Sequence, residues 1–203
     1  MNAKHILAAA LLAGSTATQA GVVFSDNFNT QVPGSNTPTS FTLVAGTVEI
    51  IGTGTNGTYF DLLPGNGYYI DLDGYTAQGG TLRTSFSLTA GTLYTAMFDL
   101  AGSQRGDTNI VDVTFGSLPT ATYTLASPAP FGTFQLAFTP ATTGSYSLTF
   151  TNRGGDYVGA LLDNVSVTFP MQSTAVPEPE SAALMLAGLG IGGWVSRRRV
   201  QRA

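Results

Sequence analysis

Short runs in which apolar and polar residues alternate fill the middle of the chain. In the run 145–150, Tyr146, Leu148 and Phe150 fall on one side, and serine and threonine fall on the other. A period of two residues is typical of a strand with one buried face. Turn-forming residues separate the runs, and no helical period intervenes. The pattern therefore predicts an all-β domain.

About ten such runs favour a two-sheet β-sandwich of jelly-roll type. The absence of a repeat of fixed period argues against a propeller or a solenoid. The predicted strands are 22–28, 41–51, 68–72, 81–88, 93–101, 109–116, 120–125, 132–139, 145–151 and 160–169.

The N-terminal segment, 1–20, has the three parts of a secretory signal peptide. Lys4 gives a basic start, residues 6–12 are apolar, and small residues end the segment at Ala20. The apolar part is too short to span a membrane, so we expect a signal helix that is cleaved after Ala20. The alternative is an ordinary amphipathic helix, but no polar stripe recurs at helical spacing.

The C-terminal end has a linker with a Pro-Glu-Pro motif (171–180), an apolar segment (181–196) and a basic tail (197–203). The apolar segment predicts a transmembrane helix of about 22 Å, somewhat short for a bilayer core of about 30 Å. The basic tail should stay on the cytoplasmic side, which leaves the linker outside. The motif and the basic cluster consist of Pro177, Glu178, Pro179, Arg197, Arg198 and Arg199.

These parts, in this order over 176–203, resemble the PEP-CTERM sorting signal of Gram-negative bacteria that make exopolysaccharide. The resemblance implies that an exosortase-type protease of the inner membrane recognises the Pro-Glu-Pro motif and cleaves there. The protein then passes to the cell surface or the extracellular matrix. The alternative is a single-pass membrane anchor that is not cleaved.

The composition between the two ends limits which classes of ligand the domain can bind. Residues 21–175 contain ten acidic residues, three arginines and no lysine. Because a phosphate backbone finds no basic patch, nucleic-acid binding is excluded. Neutral glycans, divalent cations or simple solubility suit this charge instead.

Few side chains remain for catalysis. The chain has no cysteine, and its single histidine, His5, lies in the predicted signal peptide. This composition excludes a histidine-based triad, a thiol nucleophile and the usual zinc sites. Asp71 and Asp73 are paired carboxylates, but at i and i+2 we expect them on a solvent-facing side of a strand. We therefore expect no enzyme.

A second set of short runs is distinctive: 69–74, 80–84, 89–94, 98–102 and 159–167. Together these runs resemble the choice-of-anchor C family. The resemblance implies a galactose-binding-like β-sandwich over 21–170, on proteins that differ mainly in their surface anchor. The opening, 25–29, departs from the Asn-Gly-Ser-Phe-Glu type turn of the relatives. No N-terminal ligand-binding residue of the family can therefore be assigned to this chain by resemblance.

Asp26 and Asp163 interrupt apolar faces, so we expect both carboxylates to point toward the core, where an unpaired charge is costly. Backbone and hydroxyl donors, an arginine or Ca²⁺ are the possible partners. The galactose-binding-like resemblance implies a calcium ion between the first and last strands, so we predict that the two aspartates share one Ca²⁺. The alternative is that each bonds its own loop backbone. The interrupted faces are Val22, Phe24 and Phe28, and Leu161, Val165 and Val167.

Aromatic side chains beside turns are candidates for glycan binding, since sugars stack on rings. Tyr157 has Arg153, Asp156 and Asn152 as polar neighbours, and we predict a glycan site at Tyr157, Asp156 and Arg153. We expect a structural or glycan-binding component of the exopolysaccharide matrix. The alternative is a protein–protein adhesion module. Further aromatic candidates are Tyr59, Phe60, Tyr68 and Tyr75.

Overall fold

Two antiparallel sheets make up the part of the chain that the structure describes. The computed structural model describes residues 19–171, where twelve strands and no helix occur. The predicted all-β sandwich is confirmed, whereas both predicted terminal helices lie outside the described residues. Nothing within 19–171 is a helix long and apolar enough to cross a membrane. The strands are β1 (Gln19–Asp26), β2 (Thr42–Ala45), β3 (Glu49–Gly54), β4 (Gly57–Tyr59), β5 (Tyr68–Asp71), β6 (Thr81–Leu88), β7 (Tyr94–Ala101), β8 (Asn109–Phe115), β9 (Ala121–Leu125), β10 (Gly132–Phe138), β11 (Gly144–Asn152) and β12 (Leu161–Met171).

The strands divide between a seven-stranded and a five-stranded sheet. The larger sheet has the order β10-β7-β12-β5-β3-β4, and β1 pairs with β12 beside this path. The smaller sheet has the order β2-β6-β11-β8-β9. From β5 to β8 the chain changes sheet at every strand, which is the crossing pattern of a jelly-roll sandwich. The last strand, β12, consequently lies inside the larger sheet and not at its edge.

Two differences separate the observed strands from the predicted ones. The run 41–51 is divided into β2 and β3, which belong to different sheets. The chain turns between them at Gly46, which has a φ of 64° and where a β-carbon would collide with the carbonyl oxygen of Gly79. The second difference is β4, which forms a hairpin with β3 through a two-residue turn, Thr55-Asn56, with Gly54 and Gly57 as the closing pair.

Aromatic and branched aliphatic side chains fill the space between the sheets. Phe98 packs edge-on against Phe150, with ring centroids 5.1 Å apart. Each fully buried large apolar side chain contributes about 1.5–3 kcal/mol. This core makes Ala20–Met171 one compact unit without any disulfide. One row of buried residues crosses four neighbouring strands of the larger sheet: Ile50, Ile70, Leu162 and Leu100.

A second apolar cluster covers part of the outer face of the larger sheet. Side chains that alternate with the inner row form its base, and loop residues pack onto them. The Tyr69 hydroxyl accepts hydrogen bonds from the backbone nitrogens of Leu62 and Leu63, at 2.6 and 2.8 Å. The outer face is therefore not uniformly solvent-exposed. The base is Ile51, Tyr69, Ala101 and Leu161, and Leu62, Leu63 and Phe131 cover it.

Candidate functional site

Two carboxylates at the end of β5 are buried, which corrects the expectation that they face solvent. Asp71 is 2% exposed and Asp73 is fully buried. Asp71 lies on the covered outer face of the larger sheet, where Leu161 is its register partner on β12. The segment 153–158, which we call the Tyr157 loop, folds back over both carboxylates through the contacts described next. Alternation along β5 indicates which residues share a side, but not what covers that side.

Arg105 compensates the buried charge of Asp71. Its Nη2 lies 2.5 Å from Asp71 Oδ2, and its Nη1 donates to the carbonyl oxygen of Tyr157 at 3.0 Å. Burial raises the pKa of Asp71 to about 7, although the neighbouring guanidinium opposes this shift. The Arg105 side chain is itself only 21% exposed. This largely buried ion pair therefore joins the end of β5 to the Tyr157 loop.

The Asp73 carboxylate makes a second hydrogen bond to the backbone of the same loop. Its Oδ2 accepts a hydrogen bond from the backbone nitrogen of Asp156 at 3.2 Å. Burial is the main cause that raises the pKa of Asp73. The Asp156 carboxylate accepts from the backbone nitrogen of Val158 at 3.2 Å, and the Asn109 side-chain amide donates to the carbonyl oxygen of Val158. Side chains from two other segments thus hold the backbone of the loop.

Two glycines allow this close approach. A β-carbon at Gly159 would collide with the backbone nitrogen of Asp73 and with the Asp71 carboxylate. A β-carbon at Gly154 would lie 2.7 Å from Asp73 Oδ2, again too close for a real contact. Gly155 differs, because the atom nearest to its added β-carbon is a backbone oxygen at 3.4 Å. Packing against the backbone therefore requires glycine at 159, directly after the loop, whereas the atoms that face Gly154 are side-chain ends.

The outer side of the loop carries the predicted glycan residues. Tyr157 is 55% exposed and has a φ of 69°, an uncommon conformation for a residue with a side chain. Asp156 is exposed, and its carboxyl lies within hydrogen-bonding reach of Asp107, which raises the pKa of Asp107. Arg153 donates twice to Asp112, at 2.6 and 2.9 Å, and this lowers the pKa of Asp112. Tyr157 and Asp156 thus share one exposed loop, while Arg153 is engaged elsewhere.

The other aromatic candidates fall into two groups. Tyr68 is fully buried and donates to the carbonyl oxygen of Gly57, so its assignment to a surface site is wrong. The short strand β5 lies inside the larger sheet, which explains this burial. The exposed candidates are Tyr59, Phe60 and Tyr75.

Asp26 is bound by residues of the loop that follows it. Its Oδ1 accepts from the backbone nitrogen of Phe28 at 2.7 Å. Its Oδ2 accepts from the Gln31 side-chain amide at 3.1 Å and from the Ser40 hydroxyl. The predicted apolar face of this strand is also only partly correct, because Val22 is 64% exposed.

Asp163 is buried, but it does not point into the sandwich interior as predicted. The register between β12 and β7 shifts between Asp163 and Ser166, and Asn164 has a φ of 48°. Leu161, two residues before Asp163, belongs to the outer cluster, whereas Val165 belongs to the main core. The bulge divides a face that strict alternation treats as continuous.

Asp26 and Asp163 nevertheless lie in adjoining strands, since β1 pairs with β12. Burial raises the pKa of Asp163 to about 7, and the charges of Asp99 and Asp26 add to the shift. Within 19–171, no three aspartate, glutamate or histidine side chains are grouped as metal ligands. Because Ca²⁺ takes about six to eight oxygens, this pair needs backbone carbonyls or waters as well. The shared calcium ion stays a prediction.

Comparisons with known proteins bear on the tail and on the fold. The PEP-CTERM protein-sorting motif matches residues 175–199, which confirms the expected motif. No curated protein matches the chain. The K3 cleaved adhesin domain of Lys-gingipain from Porphyromonas gingivalis is similar with a TM-score of 0.51 and 14% identity, over 74% of this chain and 99% of that one.

A second similar structure is the CBM22-1 xylan-binding domain of Xyn10C from Paenibacillus barcinonensis. It has a TM-score of 0.51 and 10% identity, over 77% of this chain and 99% of that one. At these identities the likeness shows the β-sandwich fold alone. The resemblance to the choice-of-anchor C family stays a prediction.

Proposed function

We propose that this protein is exported, sorted at the inner membrane by an exosortase, and passed to the cell surface or matrix as a non-catalytic glycan-binding module. The PEP-CTERM motif at 175–199 supports the sorting step and indicates an exported protein. The signal peptide predicted at 1–20 fits the same route. Cleavage at Pro177-Glu178-Pro179 releases the sandwich from its tail.

The exposed ring of Tyr157 is the observation that carries glycan binding. It stands at a positive φ on a loop whose backbone is fixed by Arg105 and Asp73. A ring held in this way presents its face to a ligand with little loss of conformational freedom. Asp156 beside it supplies hydrogen-bond acceptors for sugar hydroxyls. A xylan-binding domain of the same fold lends support by analogy.

The charges around Tyr157 favour neutral glycans. Asp156 and Asp107 are both exposed, and the two arginines nearby are already paired with Asp71 and Asp112. A uronic acid or sulfated sugar therefore meets carboxylates without a compensating cation. The module consequently discriminates against anionic polysaccharides.

Binding of purified 21–175 to immobilised polysaccharides tests this function. We expect neutral polymers to bind better than uronate polymers of similar length. Tyr157→Ala should weaken binding about fivefold, because an aromatic contact contributes about 1 kcal/mol. Leu93→Ala is the control, since Leu93 is similarly exposed at 48%, lies at the opposite end of β7 from Arg105 and should leave affinity unchanged.

Two results would contradict the proposal. If no extracellular polysaccharide of the producing cell binds, glycan binding is wrong and a protein adhesion role gains support. If a glycan panel is turned over, the module is catalytic. The buried state of Asp71 and Asp73 argues against turnover, because both carboxylates are occupied by Arg105 and the loop backbone.

A further inference from the structure

We propose that Asp71, Asp73 and Arg105 are positioning residues that hold the Tyr157 loop in its ligand-presenting form, and that acidification loosens the loop through Asp71. The use of this device for ligand binding rests on the proposed function. The coupling between the buried charges and the loop does not, because it follows from contacts within the protein.

The loop depends on contacts made from outside it. No regular secondary structure runs from 153 to 158. Its first residue, Arg153, donates its backbone N–H to the carbonyl oxygen of Ile110 at 2.8 Å, and Gly154 accepts from the backbone of Gly79 at 3.3 Å. Beyond these points the backbone is held by the side chains of Asp73, Arg105 and Asn109. Tyr157 at positive φ keeps its conformation only while such contacts persist.

Asp71 controls the loop through Arg105. Its carboxylate is not among the hydrogen-bond partners of Tyr157, but it holds the guanidinium that donates to the Tyr157 carbonyl oxygen. When one member of a buried ion pair loses its charge, the other is left uncompensated and moves toward water. Arg105 then withdraws its hydrogen bond from the loop. Removal of a negative charge below the loop therefore changes the exposed ring above it.

The polar centre under the loop is incompletely satisfied. Four buried side-chain atoms in the described residues have no hydrogen-bond partner. A buried polar atom without a partner raises the free energy of the folded loop, because it has given up its hydrogen bonds with bulk water. The atoms are Asp73 Oδ1, Arg105 Nε, Asn109 Oδ1 and Asn152 Nδ2.

The surroundings of Asp71 make it the proton acceptor of this centre. Arg105 faces it from the segment after β7, Asp73 from the end of its own strand, and apolar Leu161 from β12. From β3 the register partner is Glu49, whose carboxylate accepts a hydrogen bond from Tyr59. Beyond Asp73 lie Asp156 and Asp107.

Burial raises the pKa of Asp71 to about 7, so protons compete with Arg105 for it near neutrality. The raised pKa has the opposite effect on the whole fold. A buried carboxyl is more stable when protonated, so acidification through this range favours the folded sandwich even as it removes the ion pair. Loosening is therefore confined to the loop. A loop that loosens while the sandwich becomes more stable distinguishes this effect from ordinary acid unfolding.

Hydrogen exchange of the 153–159 segment in purified 21–175, read by mass spectrometry as protection factors, tests the proposal. Asp71→Asn and Arg105→Met should each lower protection of this segment about tenfold at pH 8. In the wild type, protection should fall between about pH 8 and pH 6, and in Asp71→Asn it should not depend on pH. Arg105→Lys keeps the charge and should retain part of the protection. Asp112→Asn is the matched control, because it removes an exposed ion pair of the same loop and should change protection less than about twofold.

The outcomes distinguish this inference from the proposed function. If the segment exchanges at the wild-type rate in Asp71→Asn, the positioning role is wrong, whatever binds. If the variants do not fold, the wild-type pH series decides. The proposal is overturned if the sheets stay protected between about pH 8 and pH 6 and the protection of the loop does not change either. If the loop loosens as expected but no glycan binds the wild type, the proposed function is wrong and the positioning role is upheld.

Discussion

At the scale of single residues, buried carboxylates make the stability of this protein depend on pH and on the ions around it. Burial raises the pKa of Asp71 and of Asp163 to about 7. In the folded chain such a group keeps its proton over a range in which the unfolded chain has already released it. Folding then takes up protons, and stability depends on pH in a predictable direction.

Asp71→Asn should flatten the dependence of stability on pH. The pKa of Asp71 is raised in the folded state, so its stabilisation is complete below the ordinary value of 3.8 and is lost as pH rises toward about 7. Within this window one such group contributes a slope of about 1.4 kcal/mol per pH unit. Urea unfolding of 21–175 in the presence of a chelator, between pH 4 and pH 7, measures the slope. A slope in Asp71→Asn that equals the wild-type slope contradicts the prediction.

Calcium should raise the melting temperature, and a chelator should lower it. Asp26 and Asp163 lie in paired strands, and each is a carboxylate with a charged neighbour of the same sign. An ion bound only by the folded state stabilises it in proportion to occupancy, by about 2.7 kcal/mol at a hundredfold excess over the dissociation constant. Asp163→Ala should abolish the response, and Asp26→Ala should weaken it. A melting temperature indifferent to both additives leaves the aspartates as ordinary hydrogen-bonded residues.

At the scale of elements, the sequence predicts those strands whose two faces differ. β6 is observed where alternation predicts it, at Thr81–Leu88. Alternation misleads where a positive φ interrupts it: Gly46 divides one predicted strand, and Asn164 produces the bulge that turns Asp163 outward. The cover over Asp71 and Asp73 cannot be predicted from alternation for another reason, since it comes from Arg105 and from a loop that contacts Asp73 across 83 positions of the chain.

The packing in and beside the Tyr157 loop predicts a large effect for one glycine and almost none for another. Gly159→Ala introduces a β-carbon that collides with the backbone of Asp73, which cannot move without disturbing β5. We expect a loss of about 1–3 kcal/mol in the free energy of unfolding, as for other overpacked sites. Gly155→Ala has room and should change it by less than about 0.5 kcal/mol. Chemical denaturation of the two variants measures both values, and equal losses would refute this account of the loop.

At the scale of the whole molecule, the tail determines what the mature protein is. We predict that processing ends the chain near Pro177-Glu178-Pro179 and removes 181–203. The intact mass of protein extracted from the cell surface measures this directly. Replacement of all three motif residues by alanine should leave the full mass, because the protease loses its recognition sequence. A wild-type protein that still ends at Ala203 supports the uncleaved anchor instead.

The position of β12 has a consequence for the timing of folding during export. This strand ends at Met171, a few residues before the sorting motif, yet it lies between β7 on one side and β5 and β1 on the other. In a chain that emerges with its N-terminus first, the edges of these strands that face β12 stay unpaired until β12 itself arrives, although β7 can already pair with β10 and β5 with β3. Open strand edges invite pairing with other chains. Because the sorting motif begins only a few residues after β12, we expect the larger sheet to close only when the motif itself has emerged.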